Sequence, residues 1–287
     1  MKNHYRLAFA SVMGVILSYT LVFLAALPMR YLRLNFGRKV FIASTVAGFA
    51  LLCSFQLWQW SARYLSLCFL IGTYRELEER NYSVFMSSAV SVLLTAGANI
   101  LFLFSYTKFS GEGLRLLLTE KAAPLYEQFK NMPQFKNMDL EQLIWFLPSG
   151  LVITFMIVVF VSLTVARVPR TIKDIAQLRQ FRLPDEVIWI FLASLACSIL
   201  DFGYPLLQVA GTNVLFVAVA AYFFQGLAVF TYFLDRLRVF GLWRVLAYFL
   251  ACFHLIPLIS GLGILDYWFD FRTIENKEIK NNKLNIS

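Results

Sequence analysis

The chain has 287 residues, of which 59% are hydrophobic and 15% charged, and its mean hydropathy is +0.66. A soluble domain carries about 25% charged and about 45–50% apolar residues, so these values exclude an ordinary soluble fold and indicate lipid as the solvent. The net charge of +9 predicts basic loops that meet anionic headgroups, and we expect no nucleic acid partner.

The apolar residues come in long runs that do not alternate with polar residues, which favours spanning helices over a β-barrel. Seven runs are long enough to cross a bilayer, and an eighth is short. The long runs are 7–29, 40–58, 84–106, 143–166, 187–209, 212–234 and 242–265, and the short one is 64–74. The sequence therefore predicts an all-α polytopic transmembrane helix bundle of seven to eight spans, in one domain over residues 1–272.

The first run follows Lys2 and Arg6. It is longer than a signal-peptide core of about 7–15 residues, so we interpret it as an uncleaved span. Residues 28–36 could form a short returning segment, which would place the N-terminus inside the cell. The basic loops at 30–39, 167–182 and 235–244 are predicted to share one side of the membrane, and the orientation of the termini stays open.

A charged stretch follows the short run. It pairs opposite charges four residues apart at Arg75 and Glu79 and again at Glu76 and Arg80, which predicts a solvated helical turn with internal ion pairs.

Residues 108–141 form the one sizeable polar stretch before the C-terminus. Its leucines recur at near-helical spacing, which predicts an amphipathic helix that lies in the interface or caps the bundle and breaks near Pro124. The last segment, 273–287, is rich in Asn and Lys and is predicted to be disordered.

Catalytic and metal-binding motifs do not occur in the sequence. It contains no phosphate-binding loop, no H-E-x-x-H helix and no G-x-S-x-G turn. We therefore predict neither an enzyme nor a bound metal or cofactor, although an intramembrane enzyme stays open as a third alternative. The four cysteines form no C-x-x-C pair, and we interpret them as small apolar side chains.

Four polar residues inside apolar runs are candidate ligand contacts, because ionisable and amide groups at membrane depth are costly. Asp201, near Gly203 and Pro205, could be a ligand at a discontinuous helix or could cap an external turn. The other three are Asn99, His254 and Gln225, for which hydrogen-bonded packing is the alternative.

The last run closes on Asp266, Trp268, Asp270 and Arg272. An aromatic interface anchor accounts for the tryptophan, but it does not account for the interleaved charges. On a continuing helix the two aspartates share a face, because they are four residues apart. We interpret these four residues as a candidate docking motif.

The chain resembles the YybS-like family of multi-pass bacterial membrane proteins. The resemblance rests on the segments 26–28 with 36–38, 182–186, 222–228 and 263–272. It implies a bacterial inner-membrane location and, by fold-level analogy, similarity to substrate-binding subunits of energy-coupling-factor transporters.

These features lead to two hypotheses about function. The first is a small-solute transport component with a ligand cavity between its helices. The second is a non-catalytic membrane scaffold or assembly factor that docks an envelope partner through the basic loop at 167–182 and the closing motif. In both, the lipid bilayer is a partner.

Overall fold

The computed structural model of the protein describes residues 2–110, 113–130, 139–165 and 181–272. In these ranges every regular element is a helix. The chain divides into two compact units, residues 1–172 and 173–287. The predicted single domain over 1–272 stays a prediction. The predicted tail and most of the predicted basic loop, 167–180, lie outside the described residues.

Ten helices occur in the described residues. Unit 1 contains α1 (Lys2–Thr20), α2 (Val22–Ser54), α3 (Trp58–Glu79), α4 (Val84–Ser110), α5 (Leu114–Phe129) and α6 (Leu140–Val165). Unit 2 contains α7 (Val187–Ile199), α8 (Pro205–Arg236), α9 (Gly241–Phe253) and α10 (Ile256–Phe269).

Four of these helices, α2, α4, α6 and α8, are long and apolar enough to cross a membrane. Helices α9 and α10 together form a fifth candidate, bent by 92°. The all-helical fold is thus as predicted, whereas four or five candidate spans among the described residues are fewer than the predicted seven to eight. Helix α3 contains the short apolar run 64–74. It has 22 residues and a buried face, so it is longer than that run alone.

In unit 1, α2 packs against α1, α3 and α6, and α4 packs against α3 and α6. The predicted first span is wrong as a single helix, because the chain leaves helical geometry at Leu21 (φ −139°, ψ 80°). Just before this break the hydroxyls of Ser18 and Thr20 donate to the carbonyls of Val15 and Ile16, a contact that competes with the helical ladder.

Residues 28–36, one interpretation of which was a short returning segment, are helical and lie within α2. The helix changes direction at Gly37, whose φ of +80° is strained for any residue with a Cβ atom. Helix α5 also differs from expectation, because it continues through Pro124 to Phe129. It packs against α6, to which Arg115 is linked by an ion pair with Glu141.

In unit 2, α7 and α8 form an antiparallel pair in which Ser198 and Thr212 hydrogen-bond at 3.0 Å. The predicted boundary at 209–212 is wrong. The chain instead turns at 200–204 and α8 starts at Pro205, which suits the first turn of a helix.

Helices α8 and α10 cross at two glycines. A Cβ atom on Gly226 would lie 1.8 Å from the carbonyl oxygen of Ile259, and one on Gly263 would lie 2.0 Å from that of Tyr222. The two backbones therefore meet without intervening side chains. Gly261 has open space around it instead.

Candidate functional site

Gln225 is the centre of a buried polar cluster in unit 2. Its amide oxygen accepts a hydrogen bond of 3.1 Å from the backbone N–H of Leu183. Its amide nitrogen donates at 3.0 Å to Oδ2 of Asp266. The side chain therefore ties the segment before α7 to α8 and α10, and both ends of its amide are used.

Asp266 carries the negative charge of this cluster. The residue is 0% exposed, and Oδ2 also accepts a bond of 2.6 Å from Nη2 of Arg272. Arg272 in turn donates from Nη1 to the carbonyl oxygen of Phe181 at 2.8 Å. The other oxygen, Oδ1, is buried and accepts no hydrogen bond from any residue that the structure describes.

The closing motif is divided between the interior and the surface. Asp266 and Arg272 point inward, whereas Trp268 is 58% exposed and Asp270 forms an ion pair of 3.4 Å with Arg182. The expectation of a shared face for the two aspartates is wrong. Helix α10 ends at Phe269 and Asp270 adopts left-handed geometry (φ 42°), which turns its side chain away from the helical face.

Asp201 lies in the exposed turn between α7 and α8. Its Oδ1 accepts a hydrogen bond of 2.9 Å from the N–H of Gly203, whose φ is +74°. This geometry is that of a turn cap. His254 is exposed at the bend between α9 and α10.

Asn99 joins two helices of unit 1. Its Oδ1 accepts from the hydroxyl of Ser66 on α3 at 2.8 Å, and its Nδ2 donates to the carbonyl of Thr95 at 2.8 Å. Helical packing accounts for both ends of this amide. Within unit 2, the structure brings Gln225, Asp266 and Arg272 together, whereas Asp201 and His254 lie outside this cluster. Asn99 belongs to unit 1.

A second charged cluster, in unit 1, was missed by sequence reasoning. We call it the arginine cluster; it consists of Arg30, Arg33 and Arg38 of α2 together with Arg75, Glu76, Glu78, Glu79 and Arg80 at the end of α3. The pairs predicted within 75–80 are present, Arg75 with Glu79 at 3.3 Å and Arg80 with Glu76 at 3.6 Å.

Contacts between the two helices dominate the arginine cluster. Arg30 is 1% exposed, pairs with Glu78 at 3.1 Å and lies over the ring of Tyr74. Arg33 is 5% exposed and pairs with Glu79 at 3.0 Å and with Glu76 at 3.3 Å. The signal available in the sequence was the matching i, i+3 spacing of Arg30 with Arg33 and of Glu76 with Glu79.

Over the described ranges, no three His, Cys, Asp or Glu residues are grouped so that they could hold a metal ion. Residues 6–267 match a protein family described as "Predicted membrane protein (DUF2232)". No curated protein and no solved structure matches the chain significantly. The finer resemblances to the YybS-like family and to energy-coupling-factor subunits stay predictions. The match and the apolar helices together show a membrane protein that contacts the lipid bilayer.

Proposed function

We propose that this chain, which belongs to the DUF2232 family of predicted membrane proteins, is a non-catalytic membrane scaffold or assembly factor. It would hold a protein partner at the bacterial inner membrane rather than move a solute across it. The observation that carries this proposal is that the buried Gln225 and the half-buried Asn99 are both engaged within the protein. Gln225 bonds to the backbone before α7 and to Asp266 of α10. Asn99 bonds to Ser66 of α3 and to the carbonyl of Thr95 in its own helix.

A solute would have to break these contacts before it could bind, and each broken buried hydrogen bond costs about 1–3 kcal/mol. Asp201 and His254 are exposed in a turn and at a bend. If these polar groups serve packing, it is the surface residues that would bind a partner. This favours the scaffold.

The proposed contact with the partner is the outer part of the closing motif. Trp268 is exposed at the end of α10, and Asp270 and Arg182 beside it are partly exposed. Tryptophan and arginine are enriched among the residues that dominate binding at protein interfaces. Asp266 and Arg272 would support this surface from below by fixing the end of α10.

A small-solute transport component is the second candidate. Asp266 favours it, because a fully buried carboxylate with an unused oxygen is typical of ion and proton paths in membrane proteins. In that case Oδ1 of Asp266 would contact the transported ion or proton.

Purification of the tagged full-length protein from its native membrane in mild detergent tests both candidates. Mass spectrometry then identifies proteins and small molecules that co-purify. We expect a stoichiometric membrane or envelope protein that Trp268→Ala loses. Trp243→Ala is the matched control, since Trp243 is also exposed in unit 2 but lies on α9.

A partner that both tryptophan variants retain would contradict docking through Trp268. A retained small molecule that Asp266→Asn releases, with no stoichiometric protein, would replace the scaffold by the transport component.

A further inference from the structure

We propose that Arg38 and Arg80 in unit 1 bind the phosphate of an anionic lipid headgroup. This site is independent of the closing motif and of the scaffold role. Its parts are the two exposed guanidiniums of the arginine cluster and an apolar strip on α2 below Arg38.

Among its named residues, the arginine cluster has more arginines than glutamates. It contains five arginines and three glutamates, a net charge of +2. Glu78 and Glu79 are bound by the inner arginines, Arg30, Arg33 and Arg75. The third glutamate, Glu76, is shared by Arg33 and the two arginines at the outer edge of the cluster.

Arg38 and Arg80 form that outer edge, with side chains 66% and 65% exposed. Both approach the same atom, Oε1 of Glu76, through Nη1 at 3.4 Å and Nη2 at 3.6 Å respectively. The two nitrogens are consequently no more than 7.0 Å apart. These contacts are long for charge-assisted hydrogen bonds, which are about 2.7–2.9 Å.

A phosphate suits this arrangement better than a single carboxylate oxygen does. Each guanidinium offers five N–H donors in a planar fork, and Oε1 of Glu76 engages one nitrogen of each. Phosphate oxygens could accept a short bond from each arginine across the gap between them. The anion would also offset the excess positive charge.

The surroundings favour a lipid rather than a soluble phosphate. Arg38 and the exposed Lys39 precede the apolar half of α2, and Arg80 lies four residues before α4 begins at Val84. On α2, Ile42 and Val46 follow Arg38 at intervals of four residues and are both exposed. They form a strip below the guanidinium that an acyl chain could cover.

The test is a titration of the full-length protein in neutral detergent with phosphatidylglycerol, with phosphatidylcholine as the uncharged comparison. Native mass spectrometry counts the lipids bound. We expect selective binding of phosphatidylglycerol, weakened about 30-fold in Arg38→Gln/Arg80→Gln, since one basic residue contributes about five-fold. The Glu76→Gln variant should bind phosphatidylglycerol more tightly, because it removes the carboxylate that competes with the lipid phosphate for Arg38 and Arg80.

Arg236→Gln/Arg238→Gln is the matched control, because it removes two exposed arginines from another basic loop. The affinity of this control variant for phosphatidylglycerol should equal that of the wild type. An equal loss in the control, equal binding of phosphatidylcholine, or weaker binding by Glu76→Gln would overturn the proposal. Displacement of the lipid by millimolar inorganic phosphate would overturn the lipid source. If the double variant does not fold, the two single variants decide, and unchanged affinity in both would overturn the site.

Discussion

The two units both hold buried charge, but they hold it in different ways. In unit 1, Arg33 has two glutamate partners and Glu76 has three arginine partners. In unit 2, Asp266 depends on Arg272 and Gln225 for its two hydrogen bonds. The first arrangement is redundant, and the second relies on single contacts.

The ratio of acidic to basic residues also differs between the two charged groups. Around the end of α10, Asp266 pairs with Arg272, and Arg182 pairs with both Asp270 and Asp185. The named residues of the arginine cluster in unit 1 are five arginines and three glutamates. A balanced, buried pair stabilises its own fold, whereas an unbalanced, partly exposed cluster also has charge available for a ligand.

The largest effect should come from Gly226→Ala in unit 2. The new Cβ atom would lie 1.8 Å from the Ile259 carbonyl, so α8 and α10 would have to separate. We expect a loss of about 3 kcal/mol or more in the free energy of unfolding, at or above the upper end for overpacking. The melting temperature in detergent measures it.

Gly261→Ala is the control for that substitution, because Gly261 has open space around it. Replacing a helical glycine with alanine should leave stability unchanged or raise it by up to about 1 kcal/mol. Similar losses in both variants would show that the glycine crossing is not the cause.

Asp266→Asn should have the next largest effect, about 3 kcal/mol. It removes the carboxylate of Asp266 from a largely buried ion pair with Arg272, and the loss of one partner of a buried ion pair costs about 3–5 kcal/mol. Thermal unfolding in detergent, compared with Asp270→Asn, measures this effect. Asp270 is a partly exposed partner, so its variant should lose less than about 1 kcal/mol. Equal losses would remove the distinction between the inner and outer parts of the motif.

Glu79→Gln tests the redundancy of unit 1 and should cost about 1 kcal/mol or less. Arg33 keeps Glu76, and Arg75 keeps Glu78. The same unfolding measurement on Glu76→Gln/Glu79→Gln should show a loss greater than the sum of the single losses, since Arg33 then has neither glutamate. Strictly additive losses would contradict a redundant cluster.

Asp201→Asn should have the smallest effect, within about 0.5 kcal/mol. Asparagine can accept the same hydrogen bond from the N–H of Gly203, so the turn is kept. Thermal unfolding checks stability. A large loss would show that the charge of Asp201 does more than cap a turn.

The sequence predicted the features that depend on local pattern. Long apolar runs indicated membrane helices. The pairs within 75–80 followed from helical spacing. The contact of Arg30 with Glu78 did not, because it joins residues 48 positions apart and depends on how α2 packs against α3.

The closing motif shows why a local pattern can fail at a helix end. Asp266 and Asp270 share a face only while the helix continues, and the left-handed geometry of Asp270 ends it. Ser18 and Thr20 precede the break at Leu21, but serine and threonine also occur inside the helices, so these residue types did not mark it. In both places the backbone conformation changes within one or two residues, which helical periodicity cannot detect.

The bend of 92° between α9 and α10 has a consequence for where water must be. Two helix ends meet at residues 254–255, and helix ends leave backbone carbonyl and amide groups without partners in the helical ladder. Lipid offers these groups no hydrogen bonds, so such a break is tolerated only at the interface or beside a hydrated or protein-lined space. Water or protein contact must therefore extend to the level of His254 along this part of unit 2. The position of the bend in the bilayer is limited to depths that water or packed protein reaches.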